Sequence, residues 1–427
     1  MKILIISHNP MATQTNMGKT FLSLFSQFGR DELCQLYIYP SFPDVDFCAS
    51  YYRVTDKDVL KSYFGRTKVG GEVSPKAINS AQGQYENEED RSLYRNPKNK
   101  SAVRRLMRDA MWKFSPWYGS VLKKWLDQEN PNCIFVAPGV AKFVYNIALK
   151  ISKECGIPIV TYICDEYYFV RKPSQWLDRL RLALLRRKIE QLMVCTRHLV
   201  VISEELKEAY ASKFGVDATT LMTGAACLSE KRLEPTKNPT NICYFGNIRC
   251  NRFVSLGEIG RELESINEEK GTDYKLKIYT AEKDPQILAQ LEGISAVELC
   301  GFVSGAAYQQ AFAEAHLLLH TEAFDETSID FTQHSVSTKI AESLASGIPL
   351  LAYCPDSLSS MKHLLRHKCS LTATSKEELR SMLLTALENP KAREIVTTQA
   401  IKVAEQMHDS RRNSEMLRQI LMDISKR

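Results

Sequence analysis

The sequence has no hydrophobic run that approaches the roughly 20 residues needed to cross a bilayer. It has no Cys-x-x-Cys pair: its 12 cysteines are scattered singly. Several of them (Cys133, Cys164, Cys243, Cys300) fall inside apolar, β-branched runs and read as small buried hydrophobes. A disulfide framework and a zinc site are therefore not expected. A phosphate loop of the Walker type is missing as well. "MGKT" at Met17–Thr20 has the Gly-Lys-Thr, but the glycine required earlier in the pattern is Thr13. The Asp-x-Asp at Asp44–Asp46 stands just after an expected strand, a poor context for a metal, so no metal is expected. No aromatic stacking platform or reader motif accompanies the basic residues, which argues against nucleic acid as a partner.

What is present is the composition of a soluble globular chain, 44% hydrophobic and 25% charged over 427 residues. That length predicts two domains. The start, "MKILIISHNP", reads as a first strand; it lacks the apolar length of a signal peptide, and a cytoplasmic location is the expectation. Net charge is +6 and uneven. Arg53–Lys113 carries 14 Lys+Arg against 8 Asp+Glu, and Arg171–Lys188 carries 7 against 1. Such patches suit an anionic surface, either lipid headgroups touched peripherally or phosphorylated substrates.

Apolar β-branched runs recur with helical stretches between them. They lie at Lys2–Ser7, Gln35–Tyr39, Cys133–Ala137, Pro158–Cys164 and His198–Ser203, then at Asn241–Gly246, Tyr274–Thr280, Val297–Phe302, Ala315–Thr321, Pro349–Tyr353 and Ser370–Thr374. Strands alternating with helices imply parallel sheets covered on both faces. Two such series imply an α/β chain of two doubly wound, Rossmann-like domains. The polar stretch Leu228–Asn241, with two prolines, reads as the linker. The expected division is 1–230, with an insertion at about 53–113 that is poor in large apolar residues; 231–408; and a last helix in 409–427 that packs back on the first domain.

The most informative segment is Ser335–Tyr353, "SVSTKIAESLASGIPLLAY". It reads as a polar turn, a short helix, a Gly-Ile-Pro break and a strand. Ser337 and Thr338 stand at the helix start, where backbone N–H groups attract phosphate, and Lys339 adds a cation. Glu342, one turn in, is able to accept two hydroxyl hydrogen bonds from a ribose. Together these describe a site for a nucleotide-sugar. Gly246, after the first strand of the second series, opens a loop with Arg249 and Arg252, two guanidiniums suited to a diphosphate. Asp165 and Glu166 end a strand of the first domain, where open sheets place ligands. Gly18 and Lys19 belong to a first loop and helix start suited to the donor phosphate or the acceptor.

At these residues the chain resembles a GT-B-fold glycosyltransferase, two Rossmann-like domains facing a cleft. It most resembles the retaining family-four enzymes of bacterial capsule, exopolysaccharide and O-antigen synthesis. The resemblance is carried by "KILIISHNPMATQTNMGKTFLSLFSQF", "TYICDEYYF", "NICYFGNIRCNRFVSL" and "STKIAESLASGIPLLAY". It implies donor binding in the second domain, acceptor binding in the first, retention, no metal, and no cofactor beyond the nucleotide-sugar donor. The acceptor would be a glycan or lipid-linked glycan hydroxyl, with Asp165 and Glu166 as its partners or base. The chain departs from the family at three places. Many members have a histidine-containing motif where this chain has "CDEYY", so no histidine role carries over and the reading of Asp165 and Glu166 rests on their place at the strand end. Asn247 stands where an arginine is usual, which moves the diphosphate contact toward Arg249. His334 stands at the first glutamate of the Glu-x7-Glu motif, which leaves Asp330, Thr332, Gln333 and His334 as candidates for the sugar hydroxyls. A nucleotide-sugar epimerase of the same fold and a non-catalytic partner subunit are the alternative readings.

Overall fold

A computed structural model describes residues 1–13, 15–65, 68–75, 102–170, 173, 175–225 and 240–426. The expected linker lies outside the described residues except for Thr240 and Asn241, as does 76–101 of the expected insertion. The chain divides into two compact units, Met1–Thr223 with Ser410–Arg427, and Gly224–Asp409.

The first unit is built on a sheet of β1 (Ile3–Ser7), β2 (Leu33–Tyr37), β3 (Ser50–Arg53), β4 (Gly71–Val73), β5 (Cys133–Ala137), β6 (Ile159–Ile163), β7 (Thr196–Val201) and β8 (Ala218–Thr220). Their order is β4-β3-β2-β1-β5-β6-β7-β8. All pairs are parallel except β3 with β4. β1, β2, β5 and β6 are buried along their whole length, because helices cover both faces of a parallel sheet. The helices are α1 (Asn16–Leu24), α2 (Asp56–Ser62), α3 (Ala102–Phe114), α4 (Ser120–Glu129), α5 (Lys142–Cys155), α6 (Trp176–Cys195) and α7 (Glu204–Phe214). The expected insertion is thus partly regular. α2 opens on a capping box, with Thr55 and Asp58 each bonding the other's backbone N–H. β4 extends the sheet antiparallel to β3, and α3 packs on α2 and α6. An edge strand of three residues needs only one neighbour and leaves no apolar alternation to read in sequence.

The second unit has β9 (Asn241–Phe245), β10 (Lys275–Tyr279), β11 (Val297–Gly301), β12 (Leu317–Thr321), β13 (Leu350–Tyr353) and β14 (Leu371–Ala373), all parallel, in the order β11-β10-β9-β12-β13-β14. Its helices are α8 (Arg252–Lys270), α9 (Pro285–Glu292), α10 (Gly305–Ala313), α11 (Glu326–Thr332), α12 (Thr338–Ala345), α13 (Ser359–His367), α14 (Lys376–Glu388) and α15 (Pro390–Met407). Alternate strand residues feed two cores. Ile242 and Tyr244 of β9 join Leu256, Ile259 and Leu263 of α8 with Leu379 and Leu383 of α14. Cys243 and Phe245 join Ile340 and Leu344 of α12 with Ala400 and Val403 of α15. The strand order reverses between β9 and β12, the place where open α/β sheets bind ligands at their carboxyl ends. The last helix, α16 (Ser410–Ser425), belongs to the first unit. There it buries Leu417 and Leu421, and Arg418 grips Glu32 through two bonds of 2.8 and 2.7 Å.

Candidate functional site

The carboxyl ends of β9, β10, β12 and β13 define one edge of the second sheet. Helices that return between parallel strands start on that edge, so the N-termini of α8 and α12 lie there too. The loop after β9 is tightly tied. Gly246 N–H donates to the Tyr279 carbonyl at 3.0 Å, and a Cβ on Gly246 would stand 3.1 Å from the Tyr244 hydroxyl oxygen. Tyr244 donates that hydroxyl to the Asn247 carbonyl at 2.7 Å. The Asn247 side chain accepts the Arg249 N–H at 2.7 Å, an Asx turn, so the residue that replaces the expected arginine shapes the loop. Cys250 and Asn251 follow at φ 55° and 56°, both left-handed.

Each arginine of this loop is already held by a glutamate from the end of a neighbouring strand. Arg249 forks onto Glu282, after β10, at 2.5 and 3.0 Å. Arg252 forks onto Glu322, after β12, at 2.7 and 2.8 Å. The two pairs differ in environment. The Arg249 side chain is 62% exposed over a Glu282 that is 4% exposed, whereas Arg252 and Glu322 are 20% and 8% exposed. Arg249 holds the Glu282 carboxyl down to about 2. Burial pushes the Glu322 carboxyl up, and Arg252 opposes that shift. In the described structure both guanidiniums expected to serve a diphosphate are paired with carboxylates.

Ser337 caps α12, accepting the Lys339 N–H at 3.4 Å, with Thr338 and Lys339 in the first turn. Lys339 is exposed, and its Nζ lies 6.0 Å from the Tyr308 ring centroid. Glu342 Oε2 accepts the Tyr308 hydroxyl at 2.8 Å. Tyr308 is set by an aromatic group in which Phe245 stacks on Tyr279 at 4.6 Å and meets Tyr308 edge-on at 5.3 Å. Burial and then Glu342 push the Tyr308 hydroxyl pKa up, so it stays a donor. Ser337, Thr338, Lys339 and Glu342 are therefore gathered about one helical turn with Tyr308 behind it. Gly347, at φ 78°, ends the segment in the left-handed conformation that glycine tolerates. His334 lies in the turn between α11 and α12; Thr332 is spent within α11, where its hydroxyl donates to the Ser328 carbonyl at 2.8 Å.

In the first unit, Thr15 caps α1 by accepting the Gly18 N–H at 3.1 Å. A Cβ on Gly18 would lie 2.1 Å from the Ala12 carbonyl oxygen, so the loop folds directly onto the first helical turn; Lys19 is exposed. Asp44 is the anchor of that loop, accepting from Thr13 N–H at 2.8 Å and from its hydroxyl at 2.7 Å. Among the described residues, no three His, Cys, Asp or Glu side chains are grouped to hold a metal ion. Asp165 and Glu166, just beyond β6, have different fates. Glu166 Oε1 accepts the N–H of Tyr168 and of Phe169, the latter at 2.6 Å, and the Tyr210 hydroxyl at 3.4 Å. Burial pushes its carboxyl up while these bonds oppose the shift. Glu166 thus closes its own turn, and Asp165, exposed with Tyr167 donating to it at 3.0 Å, is the carboxylate that faces solvent.

Residues 261–420 match the family described as Glycosyl transferase-like. No curated protein matches the chain. Solved structures match along almost its entire length. Anabaena Alr3699/HepE in complex with UDP is 14% identical with a TM-score of 0.62, covering 99% of this chain and 100% of that one. Sucrose-phosphate synthase from Thermosynechococcus elongatus is 10% identical with a TM-score of 0.61, covering 99% of each. WaaG, a glycosyltransferase involved in lipopolysaccharide biosynthesis, is 12% identical with a TM-score of 0.54, covering 97% of this chain and 99% of that one. The chain has the GT-B fold.

Within this GT-B chain the family match contains β12, α12 and the Ser337–Glu342 turn but begins after Arg252. Sequence reasoning missed Glu282, Glu322 and Tyr308. One signal was available for the two glutamates: each follows within three residues of a strand end, on the ligand-binding edge.

Proposed function

We propose that this chain is a glycosyltransferase. It moves a sugar from a nucleotide-diphosphate donor to a hydroxyl of a glycan or lipid-linked glycan, with retention, in surface-polysaccharide synthesis. The observation that carries the reading is the α12 start. A capped helix N-terminus, a lysine and a half-buried glutamate share one turn at the switch-point edge of a GT-B chain.

The chemistry follows from those groups. Departure of a nucleoside diphosphate develops negative charge, which a helix N-terminus and Lys339 stabilise without a proton transfer. Glu342, oriented by Tyr308, takes the ribose hydroxyls. Arg249 and Arg252 supply further positive charge at the adjoining loop. Asp165 orients the acceptor hydroxyl or takes its proton. The donor is the one small molecule the reaction requires, with neither metal nor cofactor. The protein works on the cytoplasmic side, peripherally at an anionic membrane, whose attraction the basic stretches supply. UDP is the first nucleotide to try, because the Anabaena structure holds it.

The test is nucleotide release from a panel of nucleotide sugars, with and without a lipid-linked acceptor, using Glu342→Ala as control. Release that needs the acceptor and is lost in Glu342→Ala supports transfer. Donor interconversion in its place would mean an epimerase, and the absence of turnover and of binding with every donor would mean a partner subunit. Binding alone is read by thermal shift, since a ligand at 100 times its dissociation constant adds about 2.7 kcal/mol of stability.

A further inference from the structure

The two arginine–glutamate pairs at the β9 loop are built differently. Arg252 and Glu322 are both enclosed, and neither can leave without exposing a buried charge. Arg249 is an exposed arm on an immobile post. Glu282 is 4% exposed, and its Oε1 accepts the N–H groups of Lys283 and Asp284 at 3.0 Å each, while its own N–H donates to Thr280 Oγ1 at 3.3 Å. The arm is 62% exposed and leaves from a loop whose next two residues are left-handed. The guanidinium itself stands in water, and when it leaves, the Lys283 and Asp284 N–H groups still bond the Glu282 carboxylate, so detaching it strands neither group without a partner. A diphosphate offers it more charge than a carboxylate does and the same bidentate geometry.

We propose that Glu282 parks Arg249: the carboxylate occupies the guanidinium fork in the empty protein, and the phosphate of a nucleoside diphosphate takes its place on binding. The inference rests on the donor site proposed above. It makes Glu282 a competitor of the ligand and a positioning residue for Arg249, not a ligand contact. Removing its charge therefore strengthens diphosphate binding, whereas loss of a merely structural residue would weaken it.

Isothermal titration of the full chain with UDP, and separately with inorganic pyrophosphate, tests this. Glu282→Gln keeps an oxygen for the Lys283 and Asp284 N–H groups, removes the charge and turns the oxygen that accepts from Arg249 Nε into an amide donor, so it releases the arm. It is expected to bind both probes about two- to five-fold more tightly than the wild type, the range that the loss of an exposed ion pair allows. Arg249→Ala weakens binding, and adding Glu282→Gln to Arg249→Ala changes nothing more, because the parked partner is gone. Wild-type binding with Glu282→Gln equal or weaker, at an unchanged thermal midpoint, overturns the parking and leaves the donor site standing. No binding of either probe to the wild type or to Glu282→Gln overturns both.

Discussion

The buried pair Arg252–Glu322 allows the structural and ligand-binding roles of one residue to be separated. Both carboxylate oxygens are used, at 2.7 and 2.8 Å, and the two side chains are 20% and 8% exposed. Arg252→Met strands a carboxylate and Glu322→Leu strands a guanidinium, each at a cost of about 3–5 kcal/mol. Replacing both leaves no charge to desolvate, so the double variant should recover to within about 1 kcal/mol of the wild type. The sign with pH is fixed too. In Arg252→Met the lone Glu322 carboxyl, raised by burial, stays protonated through its ordinary range while the unfolded chain ionises there, so folding is increasingly penalised as pH rises. The loss is therefore larger at pH 8 than at pH 5. All four tryptophans, at 112, 117, 125 and 176, lie in the first unit. Urea unfolding of the second unit is thus followed by far-UV circular dichroism, with tryptophan fluorescence as a control that should not move. Single variants that cost under about 1 kcal/mol, or a double variant as unstable as the two losses added, would refute the argument. UDP titration of the recovered double variant then reads the pair without the loss of stability: weaker binding places the Arg252 charge in the donor site, and wild-type binding removes the pair from it.

Gly18→Ala should destabilise the first unit by more than about 2 kcal/mol, because the new methyl would meet the backbone oxygen of Ala12 at 2.1 Å; an unchanged fluorescence-monitored urea midpoint would be the contrary result. Three histidines are held neutral mainly by burial, His8 at about 4, His320 at about 3 and His363 at about 2. The unfolded chain takes up their protons below about 6.5 and the folded chain does not, so stability should fall as pH drops from 7 to 5, by up to about 1.4 kcal/mol per unit for each; urea midpoints independent of pH would contradict this. On the first unit, Lys113 of α3, Lys142 of α5 and Arg187 of α6 crowd Lys188, whose pKa burial and then these cations lower. Met107, Phe114 and Trp176 are exposed on α3 and α6. The chain should sediment with vesicles containing anionic lipid and not with neutral ones, and 0.5 M salt or Lys113→Glu with Arg187→Glu should release it; equal binding to both vesicle types would count against the charge argument.

Most of the strands that could be read from sequence have a neighbour on each side, although the edge strands β11 and β14 were legible too. "ILIIS", "CIFVA" and "NICYF" are apolar without alternation because both faces are covered. β3, β4 and β8 escaped. They are three or four residues long, too short to show a pattern; β4 and β8 are edge strands with one neighbour each, and β3 lies between β2 and the short edge strand β4. The α12 segment was legible for the opposite reason: its cap, helix, Gly347 and strand follow one another in order, and local rules govern each.

The same distinction divides the site. Ser337, Thr338, Lys339 and Glu342 fall within one helical turn and a half, so spacing alone puts them together. The partners that decide what those residues and the two arginines can do are 33, 70 and 34 positions away: Glu282 from Arg249, Glu322 from Arg252, Tyr308 from Glu342. No periodicity spans such gaps; the order of strands in the sheet does. Once β10 and β12 are known to flank β9, a cation in the loop after β9 must meet whatever follows those two strands, and in this chain both supply a glutamate. A basic loop at a switch point is therefore not by itself a phosphate site. Its charge is first balanced by the neighbouring strand ends, and what remains for a ligand depends on how firmly each carboxylate holds: Glu322 by burial, Glu282 only by contact with an arm in water.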